Sequence, residues 1–426
     1  MRSVRLRRAF AALVVVALAG TQATIAALAG AGPGQALPPP TPVGPNASPS
    51  PFVTTLRTPT DSTVRPVVSA QAAILADLDT GQVLFAHRPE APRPIASVTK
   101  VMTALLVLRR TSPREVVTVS AQAAAPDRSN GLSELGLTEG EQITVGELTW
   151  ALLVQSANDA AVALAEHVAG TESRFVKMMN AEAARLGLRH TVFHSANGLD
   201  DRGHSSAQDL VNLTRAAFAE SPRFGAIVGT REHDIPAPDG VVRHIQNRNV
   251  LLWLYPGATG VKTGFTSAAG FCMVATAERD GRRLIAVVLG EPGEPFSDAA
   301  ALLNYGFDAF EVHTFVHANE SFGEVSIEGG SVPVAASSDL VALVPTTAVG
   351  EAKRLVAVDP GAAFPPAPGE QVGTVRVSIP GHRLGSVPLL VTSVPDPPPV
   401  DDAPWWRRAA GAVAGAVSGV LGSLIG

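Results

Sequence analysis

Three short motifs combine hydroxyl, amine and amide groups at spacings that could support nucleophilic catalysis. They are Ser97-x-x-Lys100, Ser156-x-Asn158 and Lys262-Thr263-Gly264. Ser97 and Lys100 lie one helical turn apart, so the serine hydroxyl can reach the lysine amine. A lysine that is removed from water is driven toward its neutral form, which can act as a base. We therefore interpret Ser97 as a candidate nucleophile and Lys100 as its general base.

The first motif lies in the stretch PIASVTKVMTALLVL, from Pro94 to Leu108. From Val98 onward apolar residues occupy every side of the helical wheel, which predicts a helix that is buried all round. Ser97 is at the predicted helix start, close to unpaired backbone N–H groups and the positive end of the helix dipole. In an alternative interpretation the Lys100 side chain extends along the helix surface to solvent.

The second motif lies between two predicted helices. Thr144, with Glu147 three residues later, predicts a capped start for the first of them. The next helix is predicted to begin near Asp159, whose carboxylate can serve as its cap. This leaves Ser156 and Asn158 as polar side chains at a buried junction, where they need partners or have a role in a site.

The third motif lies on a predicted strand, Thr259 to Thr263, followed by strands 270–277 and 283–289. Asp280-Gly281 predicts a tight hairpin between the last two strands. Thr263 and Gly264 offer a hydroxyl and a close backbone approach, which suit the binding of a carboxylate and of an extended peptide along a strand edge. Alternatively, Lys262 is a charge on an edge strand that discourages aggregation.

Other polar residues fit structural roles better. His190 and His194 have a spacing that would suit a metal on a helix, but Asn197-Gly198 and the residues before it are not helical, so we expect no metal or cofactor. His204 precedes a second predicted capping box at 205–208. Cys272 lies in an apolar run and is interpreted as a core residue. The formal charge is −5, with no basic cluster beyond the first eight residues, which disfavours a nucleic-acid partner.

The 426 residues divide into five predicted regions. They are a signal peptide at 1–29, a proline-rich disordered linker at 30–66, a catalytic domain at 67–310, a small all-β domain at 311–395, and a linker and tail at 396–426. The arginine-rich start and the apolar run after it predict export, with an uncleaved membrane anchor as the alternative. Tryptophan and arginine before the apolar tail favour a membrane-surface anchor over a spanning segment or a disordered tail.

Together, the three motifs resemble the active-site set of penicillin-recognising serine enzymes. The surrounding sequence is similar to D-alanyl-D-alanine carboxypeptidases, the low-molecular-mass penicillin-binding proteins, over roughly 67–310. The similar stretches are PIASVTKVMTALLVL, SANDAAVALAEHVAG, ANGLDDRGHSSAQDL and YPGATGVKTGFTSAAGFCMVATA. The resemblance implies a mixed α/β (α+β) domain of the β-lactamase and transpeptidase type, with an antiparallel sheet flanked by helices, followed by a small all-β domain.

The resemblance also implies residue roles. Ser97 would form an acyl-enzyme with a peptidoglycan stem peptide that ends in D-Ala-D-Ala, with Lys100 as base. Ser156 would relay a proton to the leaving D-alanine, and Asn158 would hold the peptide and the lysine. The remaining residues would bind the substrate. They are Lys262, Thr263 and Gly264, with Phe265 giving a backbone N–H to the oxyanion. β-Lactams would be covalent inhibitors, and the enzyme would act on the extracytoplasmic face of a bacterial membrane.

Two alternatives remain open from the sequence. A class A β-lactamase would carry Ser-Asp-Asn in the second motif and a loop glutamate that activates the deacylating water. Here the middle position is Ala157, and Glu166 and Glu172 fall on predicted helical stretches. A non-catalytic wall-binding or scaffolding protein would keep the fold without the reaction, although this chain has all the polar groups that acylation requires.

Overall fold

A computed structural model describes residues 56, 58, 61–125, 133–238, 240–293, 295–362 and 365–393. These residues form two compact units, which divide between Ala309 and Phe310. The predicted signal peptide, most of the predicted linker and the predicted tail lie outside the described residues and stay predictions. Within the described ranges, no helix is both long and apolar enough to cross a membrane.

The first unit combines strands with helices. Its strands are β1 (Ala72–Asp77), β2 (Val83–His87), β3 (Arg93–Pro94), β4 (Val116–Thr118), β5 (Gln142–Thr144), β6 (His204–Ser205), β7 (Glu232–Pro236), β8 (Val242–Gln246), β9 (Ala258–Thr266), β10 (Gly270–Arg279) and β11 (Arg282–Glu291). Its α-helices are α1 (Lys100–Arg110), α2 (Ala121–Ala124), α3 (Val145–Trp150), α4 (Asn158–Ala169), α5 (Glu172–Arg185), α6 (Ala207–Glu220), α7 (Pro222–Val228), α8 (Leu251–Leu254) and α9 (Pro295–Asp308). A 3₁₀ turn, Ala96–Thr99, precedes α1, and a π turn, Ala151–Gln155, follows α3.

Five strands form an antiparallel sheet in the order β2-β1-β11-β10-β9, so β9 lies at an edge. Side chains alternate between the two faces of the sheet. On one face, Ile74 and Val287 belong to the core that includes helices α1, α4, α5 and α6. On the other face, Leu75 and Leu284 lie against α9, where a Cβ added to Gly306 would be 2.8 and 2.6 Å from their methyl carbons. The prediction of an antiparallel sheet flanked by helices is therefore confirmed.

The hairpin predicted at Asp280-Gly281 is present and joins β10 to β11. Its two residues have φ values of 50° and 74°, the left-handed conformation that an Asp-Gly hairpin turn requires. Strand β10 pairs on its other side with β9, and this register places Val274 opposite Lys262. The hairpin and its neighbour thus set the position of Lys262 on the edge strand.

Helix α1 lies in the interior of the helical part and packs against α4 and α6. Every residue from Lys100 to Val107 is buried. The prediction of a helix that is buried all round is therefore confirmed, because its apolar residues do not favour any single face.

Two helix starts differ in detail from their predictions. Thr144 caps α3, since its hydroxyl accepts a hydrogen bond from the Glu147 N–H at 3.1 Å, but the Glu147 carboxylate contacts a histidine instead of completing the box. The capping box predicted at 205–208 is wrong, because the helix cap lies one residue later. Ser206 is the cap, and its hydroxyl accepts from the Asp209 N–H. The pairing of β6 with β3 delays the helix start.

Within its described residues, the second unit is all β apart from a 3₁₀ segment, Thr346–Glu351. Its strands are β12 (Phe310–Val316), β13 (Ser321–Ile327), β14 (Gly330–Ala336), β15 (Leu340–Pro345), β16 (Lys353–Val358), β17 (Gln371–Ile379) and β18 (His382–Val391). Five of them form an antiparallel sheet in the order β13-β14-β18-β17-β16, and β12 pairs with β15. This agrees with the predicted fold class of the C-terminal part.

Candidate active site

Ser97 and Lys100 lie in direct contact at the start of α1. Ser97 is in the 3₁₀ turn Ala96–Thr99, and Lys100 is the first residue of the α-helix. The distance from Lys100 Nζ to Ser97 Oγ is 2.9 Å. The Lys100 side chain is 0% exposed, so the interpretation in which it extends to solvent is wrong.

The three contacts of Lys100 Nζ can be made by a neutral amine as well as by an ammonium. Nζ lies 2.7 Å from Asn158 Oδ1 and 2.7 Å from the backbone oxygen of Asn197. Carbonyl oxygens only accept hydrogen bonds, whereas a serine hydroxyl can donate one. A neutral amine has two N–H groups and one lone pair, so it can donate to both carbonyl oxygens and accept from Ser97. This arrangement is chemically competent to remove the proton of the serine hydroxyl.

The second motif lies where the π turn after α3 ends and α4 begins. Ser156 has a φ of 69°, a left-handed conformation that changes the chain direction between the two helices. Asn158 is the first residue of α4, and this position directs its amide oxygen to Lys100. Both side chains belong to buried residues, Ser156 at 3% and Asn158 at 2% exposure.

The predicted cap of α4 at Asp159 is wrong. Asp159 is the second residue of the helix, and the cap position is Ala157, which has no capping side chain. The Asp159 carboxylate instead accepts hydrogen bonds from the backbone N–H groups of Leu135, Gly136 and Leu137. Sequence reasoning missed this contact because its donors come from an earlier segment that carries no local signal for it.

The loop that contains Asn197 and Gly198 also contributes to the site, although the Asn-Gly pair indicated only that this stretch is not helical. Gly198 has a φ of 84°, and a Cβ there would overlap the backbone oxygen of Ala96 and lie 2.9 Å from Thr99 Oγ1. The loop therefore lies directly against the turn that carries Ser97. The available signal was the Asn-Gly pair, whose close approach to another segment cannot be read from the sequence.

The third motif lies on the edge strand β9, next to Ser97. A Cβ added to Gly264 would be 2.9 Å from both the backbone nitrogen of Ser97 and the backbone oxygen of Ile95. Along β9, Lys262 and Gly264 are buried, whereas Thr263 and Phe265 are partly exposed. Lys262 is only 2% exposed, so the alternative of a solvent-facing edge charge is wrong.

Three basic side chains, Lys100, Lys262 and Arg248, lie close enough to interact in this region. Burial, followed by the charges of Lys100 and Arg248, holds the pKa of Lys262 well below its usual value. Burial also lowers the pKa of Arg248 to about 10, and its Nε donates to the backbone oxygen of Gln155 at 2.8 Å. Such a group of basic side chains suits an anionic ligand. Sequence reasoning missed Arg248 because arginines are frequent in this chain and no motif surrounds this one.

Other residues that were considered from the sequence make structural contacts. Cys272 is buried, and burial raises the pKa of its thiol to about 11, in keeping with its interpretation as a core residue. Glu166 accepts a hydrogen bond from the Ser120 hydroxyl, and Glu172 accepts one from the Ala196 N–H. Among the described residues, no three His, Cys, Asp or Glu side chains form a group that could hold a metal ion.

A Ser–Lys pair, a nearby Ser-x-Asn segment and a Lys-Thr-Gly edge strand on an antiparallel sheet define the class of penicillin-recognising serine enzymes. Comparison with known proteins narrows this class. The sequence profile of the D-alanyl-D-alanine carboxypeptidase family matches residues 59–293. The chain therefore belongs to the D-alanyl-D-alanine carboxypeptidase family of serine hydrolases.

Relatives and solved structures agree with this assignment. D-alanyl-D-alanine carboxypeptidase DacF of Bacillus subtilis is 31% identical over 75% of this chain and 84% of its own length. DacD of Escherichia coli is 39% identical over 61% and 68%. Penicillin binding protein 5 from Haemophilus influenzae aligns with a TM-score of 0.64 at 30% identity, covering 78% of this chain and 98% of that structure. Penicillin binding protein 6B from Escherichia coli gives 0.63 at 33% identity, covering 79% and 99%.

Proposed function

We propose that this protein is a serine-type D-alanyl-D-alanine carboxypeptidase that removes the terminal D-alanine from peptidoglycan stem pentapeptides. The observation that carries the proposal is the 2.9 Å contact between the buried Lys100 amine and the Ser97 hydroxyl, in a chain that belongs to this family. The proposal includes the roles of the individual residues in acylation, substrate binding and release.

In the acylation step, Ser97 Oγ attacks the carbonyl carbon that joins the two terminal D-alanines. Lys100 Nζ accepts the hydroxyl proton as the C–O bond forms. The negative charge on the carbonyl oxygen is stabilised by the backbone N–H groups of Ser97 and Phe265. The close approach of Gly264 to the Ser97 nitrogen supports this placement, since it sets the edge strand beside the nucleophile.

In the release steps, the C–N bond to the terminal D-alanine breaks and its nitrogen receives a proton through Ser156. Asn158 holds Lys100 and the peptide backbone in place, which agrees with the 2.7 Å distance between its Oδ1 and Lys100 Nζ. Water then attacks the ester carbonyl, and the shortened peptide leaves as Ser97 regains its proton. The buried positions of Ser156 and Asn158 support these roles.

Lys262 and Thr263 bind the terminal carboxylate of the substrate in this proposal, and Arg248 adds positive charge. Lys262 Nζ donates to the backbone oxygen of Thr263 at 2.9 Å, and an ammonium has three N–H groups, so it can also donate to a carboxylate. An incoming anion stabilises the charged form of Lys262, which burial and the charge of Arg248 disfavour. The site therefore favours peptides with a free C-terminus.

The substrate places the reaction on the extracytoplasmic side, where peptidoglycan lies. We further propose that residues 1–29 direct export, that residues 30–66 are a tether, and that the tail at 396–426 associates with the membrane surface. The support is the arginine-rich start followed by an apolar run, and Trp405 to Arg408 before the apolar tail. β-Lactams, which resemble the terminal dipeptide, would acylate Ser97 and inhibit the enzyme.

The proposal is tested with a labelled penicillin and with a pentapeptide that ends in D-Ala-D-Ala. We expect slow-turnover labelling and release of D-alanine by the wild type, and loss of both in Ser97→Ala and Lys100→Met. Lys177→Met, at an exposed helix position, is the matched control and should behave as the wild type. Rapid penicillin hydrolysis would instead indicate a β-lactamase, and a lack of labelling would indicate a non-catalytic wall-binding protein. Either result would refute the proposal.

A further inference from the structure

The backbone of residues 133–137 is bound to the start of α4 by one buried carboxylate. Asp159 is 6% exposed, and its two oxygens accept hydrogen bonds from Leu135 at 2.9 and 3.0 Å, Gly136 at 2.9 Å and Leu137 at 3.1 Å. The Ala160 N–H also donates to Asp159, at 2.8 Å. A single side chain thus satisfies four backbone donors from two parts of the chain.

The same segment also binds the residues that flank Ser156. The N–H of Asn158 donates to the backbone oxygen of Ser133 at 2.6 Å. On the other side, Gln155 Nε2 donates to the backbone oxygen of Glu134 at 2.6 Å. The junction that carries the second motif is therefore fixed by this segment at both ends, and Asp159 fixes the segment.

A carboxylate suits this position better than any neutral side chain of similar size. The donors are all N–H groups, and the start of α4 supplies the positive end of a helix dipole. Burial raises the pKa of the Asp159 carboxyl, while the four N–H donors act in the opposite direction. An asparagine would bring its own N–H groups against these donors and leave at least one of them unsatisfied in the interior.

We propose that Asp159 is a positioning residue for the reaction, acting through Asn158. The inference rests on the proposed function. By holding 135–137 against α4, Asp159 keeps the Ser133 oxygen where it accepts the Asn158 N–H. This in turn sets the Asn158 amide oxygen 2.7 Å from Lys100 Nζ. When the carboxylate is removed, the first turn of α4 loses this support. The Asn158 oxygen that accepts a hydrogen bond from Lys100 then shifts.

The test is a double-mutant cycle on penicillin acylation, with Asp159→Asn and Asn158→Ala alone and combined. We expect Asp159→Asn to lower the acylation rate by about 10- to 100-fold, since displacements of about 1 Å have effects of this size. When Asp159→Asn is added to Asn158→Ala, it should lower the acylation rate much less than it does in the wild type, because the two residues act through one contact. A general structural weakening would lower the rate equally in both backgrounds.

Asp209→Asn is the matched control. Asp209 is also buried near a helix start, at 4% exposure, and its carboxylate accepts the His190 N–H at 2.8 Å. Both variants should lose stability and increase amide exchange at the segments that they release, but only Asp159→Asn should slow acylation. Should Asp159→Asn fail to fold, Asp159→Glu enters the same cycle, because it keeps the charge but moves the carboxylate by one methylene against the N–H groups of 135–137. The inference is refuted if the Asp159 variant acylates as fast as Asp209→Asn. It is also refuted if the Asp159 substitution lowers the acylation rate by the same factor in the wild type and in Asn158→Ala. An unreactive wild type would instead refute the proposed function.

Discussion

The clearest perturbation of the candidate site is Gly198→Ala. Gly198 has a left-handed φ of 84°, and the added methyl group would overlap the Ala96 oxygen and lie 2.9 Å from Thr99 Oγ1. Backbone atoms cannot rotate away as a flexible side chain can. Either the loop that carries the Asn197 oxygen or the turn that carries Ser97 must therefore move.

The magnitude has two parts. A residue with a Cβ in a left-handed conformation costs about 1–2 kcal/mol, and forcing a methyl group into filled space costs about 1–3 kcal/mol more. Gly187→Ala isolates the first part, since Gly187 has a φ of 70° but a Cβ there would meet nothing within 4 Å. We expect Gly198→Ala to lose about 2–5 kcal/mol, and Gly187→Ala to lose only the smaller, conformational part.

The assay compares thermal unfolding and penicillin acylation of the two variants. A movement of the Asn197 oxygen away from Lys100 by about 1 Å should lower the acylation rate about 100-fold in Gly198→Ala. Gly187→Ala, at the end of α5 and away from the described site residues, should acylate like the wild type. If Gly198→Ala is labelled as fast as Gly187→Ala, the loop does not position the base and the reasoning is wrong.

Three further predictions concern Lys262, Arg248 and Cys272. Because the pKa of Lys262 is held well below its usual value, the folded state binds fewer protons than the unfolded state at alkaline pH. The free energy of unfolding should therefore rise with pH toward the usual lysine pKa of about 10.4, and Lys262→Met, compared with wild type by urea unfolding, should flatten this rise. An equally steep rise in the variant would contradict the assignment. Arg248→Gln should raise KM for peptides with a free C-terminal carboxylate about tenfold, equivalent to about 1.4 kcal/mol, with little change in kcat. An unchanged KM in steady-state kinetics would exclude Arg248 from carboxylate binding. Cys272 should react with a thiol reagent only after unfolding, since burial raises its pKa to about 11, and fast reaction of the folded protein would be inconsistent with this.

The parts of the fold that were predicted from the sequence have local signals. The Asp280-Gly281 turn carries its own backbone preference, and the all-apolar wheel of α1 indicates burial without knowledge of its neighbours. The strands β12 and β13 were not predicted individually, because strand formation depends on the partners with which a segment pairs. The prediction of a helix cap at Asp159 was wrong for a similar reason, since the hydrogen-bond donors of this carboxylate lie in another segment.

The same distinction between local and distant signals applies to the candidate site. Its motifs could be found because serine, lysine and asparagine at fixed spacing are visible in the sequence, but the geometry of the nucleophile is set from outside its own segment. Ala96, directly before Ser97, has a left-handed φ of 47°, which costs about 1–2 kcal/mol for a residue with a Cβ. Backbone at Gly198 on one side and at Gly264 on the other lies within contact distance of this turn. The Lys-Thr-Gly motif predicted a close backbone approach at Gly264, whereas the Asn-Gly pair at Gly198 did not show which segment it approaches. The conformation of the nucleophile is therefore held by two distant segments, and residues 94–100 alone do not determine it.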